Sequence, residues 1–300
     1  MAIIPESISG NDSTRPLRQL LVEFFERSGI PNRFRWNGMD PIVRDRALER
    51  AKGLHLGISD NELERYLTVG LVIAVTAFGH TPRDVQVEIA LYTFFCTMAD
   101  DSVMSHEMLR EFVPRIFRGE PQLHPILAEL LKELSILRQY FTPYSSNIIT
   151  TNTMDFFSAE MFLRDEGGSD SGSANSTEYV DYIRWKTGIG EAYAAFIWPC
   201  SMFPQTKTYI QAIPDAIQFI CLCNDLLSYY KEAQAGETDN YVSHRTAGGQ
   251  SPMDTLEEMV NRLVVLDGRI KAILGEGAEK AAWESFASGP SGKPQSANKA

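Results

Sequence analysis

Apolar residues recur three and four positions apart along almost the whole chain, and alternating segments are scarce, so the pattern predicts helices and no sheet. Predicted helices cover residues 16–28, 41–56, 60–78, 82–100, 106–118, 124–141, 145–164, 178–198, 206–232, 252–274 and 278–287. Local signals mark several starts. Thr81-Pro82 and Ser251-Pro252 each set a capping hydroxyl before a first-turn proline, and Asp60 with Glu64 favours another helix start. The rhythm breaks at 165–176, at 233–250 and from Ser288 onward, and no repeat of fixed period is present. The expectation is an all-α, single-domain helical bundle over 15–287, flanked by a flexible N-terminus (1–14) and a disordered tail (288–300). The polar 165–176 stretch is read as a surface loop joining consecutive helices, because the polar groups on either side of it make chemical sense only in one cavity.

Composition narrows the function classes. With 300 residues, 44% hydrophobic and 22% charged, the chain is an ordinary folded protein rather than a disordered, collagen-like or disulfide-scaffold one. The 39 acidic residues against 28 basic ones give a net charge of −11 and no basic stripe, which argues against nucleic acid as a partner. An acidic chain still binds an anionic small molecule when divalent cations sit between carboxylates and ligand. Cys96, Cys200, Cys221 and Cys223 lie in apolar stretches and read as reduced core thiols rather than a zinc site or a disulfide framework. The N-terminus has no signal-peptide pattern, and the most apolar later stretch, 67–79, is shorter than the ~18 residues of a membrane span. A cytoplasmic protein without an integral membrane segment is expected.

Three polar constellations stand out. Asp100-Asp101 ends a predicted helix, where the helix dipole disfavours carboxylates. That placement suits a solvated surface end, or a pair of acids compensated by a cation. Val87, Phe94, Thr97 and Met98 share the helical face of Asp101, which describes either the wall of an apolar pocket or a core-facing helix with a polar end. The second constellation is NDLLSYYKE, residues 224–232. Asn224, Ser228 and Glu232 are spaced four apart and drift only about 40° per step, forming one slanted row of oxygen donors suited to a hard cation such as Mg²⁺. Lys231 beside them offers a positive charge for a phosphate, and Ile213, Ile217 and Ile220 lead up to the row. The third is Arg184-Trp185-Lys186-Thr187-Gly188-Ile189-Gly190-Glu191. Two glycines in an apolar helix cost about 1 kcal/mol each relative to alanine, so the segment marks a helix break or a close approach, with Arg184 ahead of it.

Other chemistries fail. Arg110 occupies the second histidine position of an HExxH motif beginning at His106, Gly188-Ile189-Gly190 lacks a preceding strand, and there is no P-loop.

Together these residues resemble the class I terpene cyclases, and from about Arg15 to Ser288 the chain looks most like the fungal sesquiterpene cyclases of the trichodiene synthase family. NDLLSYYKE is similar to the family's second metal motif, which implies that Asn224, Ser228 and Glu232 hold one Mg²⁺. Asp100-Asp101 resembles its aspartate-rich first motif, which implies two further Mg²⁺ ions, three in all. Arg184 matches the diphosphate-sensing arginine, Thr187 and Gly188 the linker and effector positions, and Lys231 a lysine that contacts diphosphate. The chain departs from the family twice. The first motif continues Ser102-Val103-Met104 without a further acid, so its weight falls on Asp100 with Asp101 in support. The C-terminal Arg-Tyr pair that grips diphosphate in relatives is absent from the tail after Trp283, so another cation substitutes or activity is reduced.

The resemblance implies a sesquiterpene cyclase: Mg²⁺-dependent ionisation of farnesyl diphosphate, then carbocation cyclisation and release of diphosphate. Asp100, Arg184 and Gly188 would carry catalysis, and Arg184 and Lys231 would bind diphosphate. Phe94, Phe157, Phe196, Trp198 and Phe219 are candidates to line the pocket or to serve as plain core. The alternatives are a chain-elongating prenyltransferase and a catalytically weakened, cyclase-like diphosphate-binding protein; a homodimer is left open.

Overall fold

The computed structural model describes residues 14–30, 38–101, 103–165, 176–246 and 249–289. The expected N-terminal and C-terminal segments lie mostly outside the described residues, as does most of the 165–176 loop. Among the described residues there is no strand. The helices are α1 (Thr14–Arg27), α2 (Pro41–Gly53), α3 (Asp60–Ala77), α4 (Arg83–Asp100), α5 (His106–Arg118), α6 (Pro125–Leu137), α7 (Pro143–Asp165), α8 (Thr177–Thr187), α9 (Gly190–Phe196), α10 (Ile213–Ala235), α11 (Tyr241–Thr246), α12 (Pro252–Leu274) and α13 (Ala278–Ser288). All-α architecture is therefore as the periodicity predicts.

Caps explain most of the starts. Asp40 accepts from the backbone N–H groups of Ile42 and Val43, and Ser251 accepts from Asp254 ahead of Pro252. The start near Asp60 uses a different device from the one expected: Ser59 and Glu62, not Glu64, form a reciprocal capping box. Thr81 also departs from expectation. Its hydroxyl donates back to Phe78 O at 2.8 Å, so α4 begins without a side-chain cap.

Two predicted helices are each divided. Residues 178–198 form α8 and α9 with a break at Gly188-Ile189, and residues 206–212 are two 3-10 turns before α10 starts at the Ile213-Pro214 step. The 233–250 stretch, read as irregular, contains the single-turn helix α11.

The core is built around α4, in which Val85–Cys96, Met98 and Ala99 are all buried. A helix buried on every side has no exposed stripe, which is why its period alone could not orient it. It lies against α3 so closely that a Cβ on Gly70 would stand 2.1 Å from the Ala90 carbonyl oxygen. On the other side of the bundle α10 is wedged between α9 and α12. The Ile210–Ala235 span is long and apolar enough to cross a membrane, which the reading of 67–79 as the most apolar stretch overlooked. Its buried residues, among them Ala216, Phe219, Leu222 and Leu226, face protein neighbours instead. The four cysteines are free thiols.

Candidate active site

The end of α8 meets the C-terminal half of α10, and acids near the ends of α4 and α7 lie within electrostatic reach of it. Arg184, in the last turn of α8, places Nε 2.8 Å from both carboxylate oxygens of Asp225 and donates from Nη2 to Asn224 Oδ1 at 3.1 Å. Burial works against the guanidinium charge, but Asp225, Cys221 and Asp100 outweigh it and hold Arg184 protonated above its usual range. Asp225 in turn is raised by burial and drawn back by Arg184. The charge network therefore ties α8 to α10 and reaches the end of α4.

The two adjacent acids diverge. Asp100 keeps exposed surface yet is hemmed in by protein, so desolvation raises its carboxyl, Arg164 and Arg184 lower it, and Asp101 raises it. That combination describes an acid at the edge of the bundle within electrostatic reach of Arg164 and Arg184. Asp101 turns toward α3, where Tyr66 Oη donates to it at 2.6 Å and Arg65 Nη2 lies at 3.4 Å. A third acid, Glu160 of α7, is pushed up to about 7 by burial and by Asp100 and Asp239, against Arg164 and Arg184.

Along α10, Asn224 is exposed, Ser228 and Glu232 are half-buried, and Lys231 is exposed. Ser228 Oγ donates to Asp225 O at 3.4 Å, and among the described residues the side chains of Lys231 and Glu232 engage no partner. Lys231 stands seven residues after Asn224, on nearly the same helical face. No group of three or more His, Cys, Asp or Glu poised to hold a metal occurs among the described residues. The donor set of Asp100, Asn224, Ser228 and Glu232 is nonetheless all oxygen, with carboxylate, amide and hydroxyl chemistry that fits a hard cation.

The glycine pair marks both a break and a close approach. A Cβ on Gly188 would meet Cys221 Sγ at 2.5 Å and Arg184 Nη1 at 2.7 Å; on Gly190 it would meet Cys221 Sγ at 2.9 Å. Between them Ile189 adopts φ 50° and ψ 23°, a left-handed conformation that a β-branched residue rarely holds. The start of α9 has no cap of its own; buried Asn152 of α7 accepts from Ala192 N at 3.0 Å. Thr187 Oγ1 donates to Ile183 O within α8.

The five aromatic candidates are distributed through the core, each with at most 1% of its surface accessible. Phe94 packs on Phe95, Phe157 on Phe112 and Phe156, and Phe196 on Tyr92, Phe78, Phe141 and Tyr193. Trp198 stacks on Tyr209 and donates to Glu279 O, while Phe219 meets Trp283 edge-on. In this structure all five are interior packing rather than open lining. Tyr193, not singled out from sequence, is a ring of α9 that keeps accessible surface, its hydroxyl donating to Thr93 Oγ1 at 3.0 Å. Also missed were Asp225, which stood inside the quoted motif, Glu160, and Arg164, a basic residue in the last turn before a polar loop.

Comparison with known proteins identifies the family and the fold. The Trichodiene synthase (TRI5) family profile matches residues 51–278. Monoterpene synthase 25 of Postia placenta is 33% identical over 278 residues, 91% of this chain and 81% of the relative. Alpha-cuprenene synthase COP6 of Coprinopsis cinerea is 31% identical over 298 residues, 96% of this chain and 89% of the relative. The linalool/nerolidol synthase of Streptomyces clavuligerus, solved with 2-fluorogeranyl diphosphate, has the same fold at a TM-score of 0.57 and 14% identity, over 86% of this chain and 97% of that one. With its helical fold, its NDLLSYYKE row and a family match across most of its length, the chain belongs to the trichodiene synthase family and is a terpene cyclase.

Proposed function

We propose that this cyclase ionises farnesyl diphosphate in the presence of Mg²⁺ and folds the resulting carbocation into a cyclic sesquiterpene, releasing diphosphate. The observation that supports the reading is that Arg184 hydrogen-bonds Asn224 and exchanges electrostatic influence with Asp100, so that groups from three helices act on one another. The family profile and the likeness to alpha-cuprenene synthase COP6 favour a sesquiterpene product. The likeness to Monoterpene synthase 25 favours a second reading, in which the shorter geranyl diphosphate is the substrate.

Asp100 on one rim, with Asp101 in support, and Asn224, Ser228 and Glu232 on the other would hold Mg²⁺, with three ions as the resemblance implies. Bound there, Mg²⁺ supplies Lewis-acid neutralisation of the diphosphate charge. Arg184 donates to the oxygens on which charge builds as the allylic C–O bond breaks, and the bond's electron pair departs with diphosphate. Asp225 keeps that guanidinium charged and aimed. Lys231, exposed and without a partner among the described residues, adds a second cation to the leaving group. Gly188 leaves room for Arg184 against Cys221. Half-buried Thr97, Tyr193, Ile217 and Ile220 would line the chamber, where the Tyr193 ring face would stabilise a passing cation by about 2 kcal/mol when desolvated. The diphosphate serves as the base that ends the cascade.

Purified protein incubated with Mg²⁺ and either farnesyl or geranyl diphosphate, followed by analysis of volatiles, tests both readings. A cyclic fifteen-carbon product that disappears in Glu232→Ala supports the first, and a ten-carbon product alone supports the second. No terpene from either substrate would overturn both.

A further inference from the structure

An α-helix leaves its last carbonyls without intrahelical partners, and α4 adds two acids at that end, so negative charge concentrates there. Asp101 N closes back on Thr97 O at 3.2 Å, after which the remaining carbonyls need donors from elsewhere. Arg164, in the last turn of α7, supplies them. Its Nη2 donates to Ala99 O at 3.0 Å and to Asp100 O at 3.3 Å, while Nη1 donates to Met104 O at 2.6 Å. One guanidinium therefore grips both sides of the turn that follows Asp100.

The nearest acid does not compete for it. Glu160, one helical turn earlier, is 3.9 Å away, beyond hydrogen-bond range, so Arg164 is committed to backbone oxygens. The planar fork of an arginine suits this task, because several donors fixed in one plane reach several carbonyls at once, which a lysine ammonium does less well. Part of the cation expected beside the two carboxylates is thus a side chain of the protein itself. Its position also joins the ends of α4 and α7, the two helices that bring Asp100 and Glu160 together.

We propose that Arg164 is the positioning residue of Asp100: it splints the α4 terminus so that the carboxylate stays within reach of Arg184, and thereby sets how tightly the site takes magnesium and pyrophosphate. The ligand half of this statement rests on the function proposed above; the splint itself does not. Small displacements of a binding group carry large effects, since about 1 Å of misplacement can cost on the order of a hundredfold.

The test compares wild type, Arg164→Gln, Arg164→Lys and a control, Arg110→Gln. Arg110 binds the adjacent Asp165 at 3.0 and 3.1 Å and touches no α4 carbonyl among the described residues. Two measurements are made without substrate: hydrogen exchange at the amides of Ala99, Asp100, Asp101 and Met104, and calorimetric titration with Mg²⁺ plus inorganic pyrophosphate. Arg164→Gln is expected to speed exchange at those amides at least tenfold and to raise the Kd at least tenfold. Arg164→Lys should recover part of both effects, and Arg110→Gln should stay within twofold of wild type. Unchanged exchange and unchanged Kd in both Arg164 variants, or equal effects from Arg110→Gln, would overturn the proposal. Should Arg164→Gln fail to fold, Arg164→Lys carries the comparison. If wild type binds no magnesium pyrophosphate, the proposed function fails, and the exchange data alone decide the splint.

Discussion

Arg184 holds Asp225 through Nε at 2.8 Å from each carboxylate oxygen, and the same guanidinium reaches Asn224, the first member of the α10 oxygen row. The pair is mostly withdrawn from water, with 17% and 12% of the side chains accessible. Removing one partner of such a pair leaves the other charge buried and uncompensated. Asp225→Ala should lower stability by about 3–5 kcal/mol in urea denaturation, whereas Asp225→Asn, which keeps an acceptor, should cost less. Both should reduce terpene formation, because Arg184 loses its aim. A stable Asp225→Ala with full activity would refute the role given to the pair.

Gly188 is hemmed in by Cys221 Sγ and by Arg184 itself. Gly188→Ala is expected to displace one of them, at a cost of about 1–3 kcal/mol, and to lower product formation at least tenfold. Gly190→Ala, whose Cβ would sit farther from Cys221, should be the milder of the two. Parallel thermal melts and product assays separate loss of fold from loss of geometry.

Glu160 gives a pH signature. Its carboxyl ionises near 4.5 in an unfolded chain and is pushed up to about 7 in the fold, first by burial and then by Asp100. The folded state therefore binds the extra proton between those values, and the stability tied to the neutral form is complete below 4.5 and lost as pH rises through about 7. Glu160→Gln escapes that loss. In chelator, its advantage over wild type should be absent at pH 4, grow through the window and level off above pH 7 at no more than about 3 kcal/mol. Urea midpoints across that range are the measurement, and an advantage that is flat with pH would contradict the assignment.

The thiols should divide in the same protein. Burial pushes Cys96 and Cys223 up to about 12 and Cys221 up to about 11, while Cys200 is half-buried at the surface. An aromatic disulfide reagent at pH 8 is expected to titrate one thiol in the native protein, lost in Cys200→Ser, and four after denaturation.

Much of this was legible in the residues, for identifiable reasons. Helical periodicity and capping residues fix most element positions because both act locally. The row Asn224, Ser228 and Glu232 was readable because four-residue spacing places side chains on one helical face whatever surrounds the helix. The divergence of Asp100 and Asp101 was not, since it depends on Tyr66 standing across the interface between α3 and α4. Arg164 is unremarkable in sequence because a basic residue in a helix's last turn usually serves its own helix, and here it serves another. The aromatic rings mark the opposite limit. Phenylalanines that line a chamber and phenylalanines that fill a core obey the same apolar pattern, and only packing against Phe112, Tyr92 or Trp283 tells them apart.

The backbone at Ile189 joins a cation-bearing arm, α8 with Arg184, to a ring-bearing arm, α9 with Tyr193. Its left-handed well is narrow for a branched residue, and the glycines on either side are themselves crowded by Cys221. Such an elbow has little slack. The placement of the guanidinium on one arm and of the aromatic ring on the other is accordingly set together, by one left-handed residue and its two crowded neighbours.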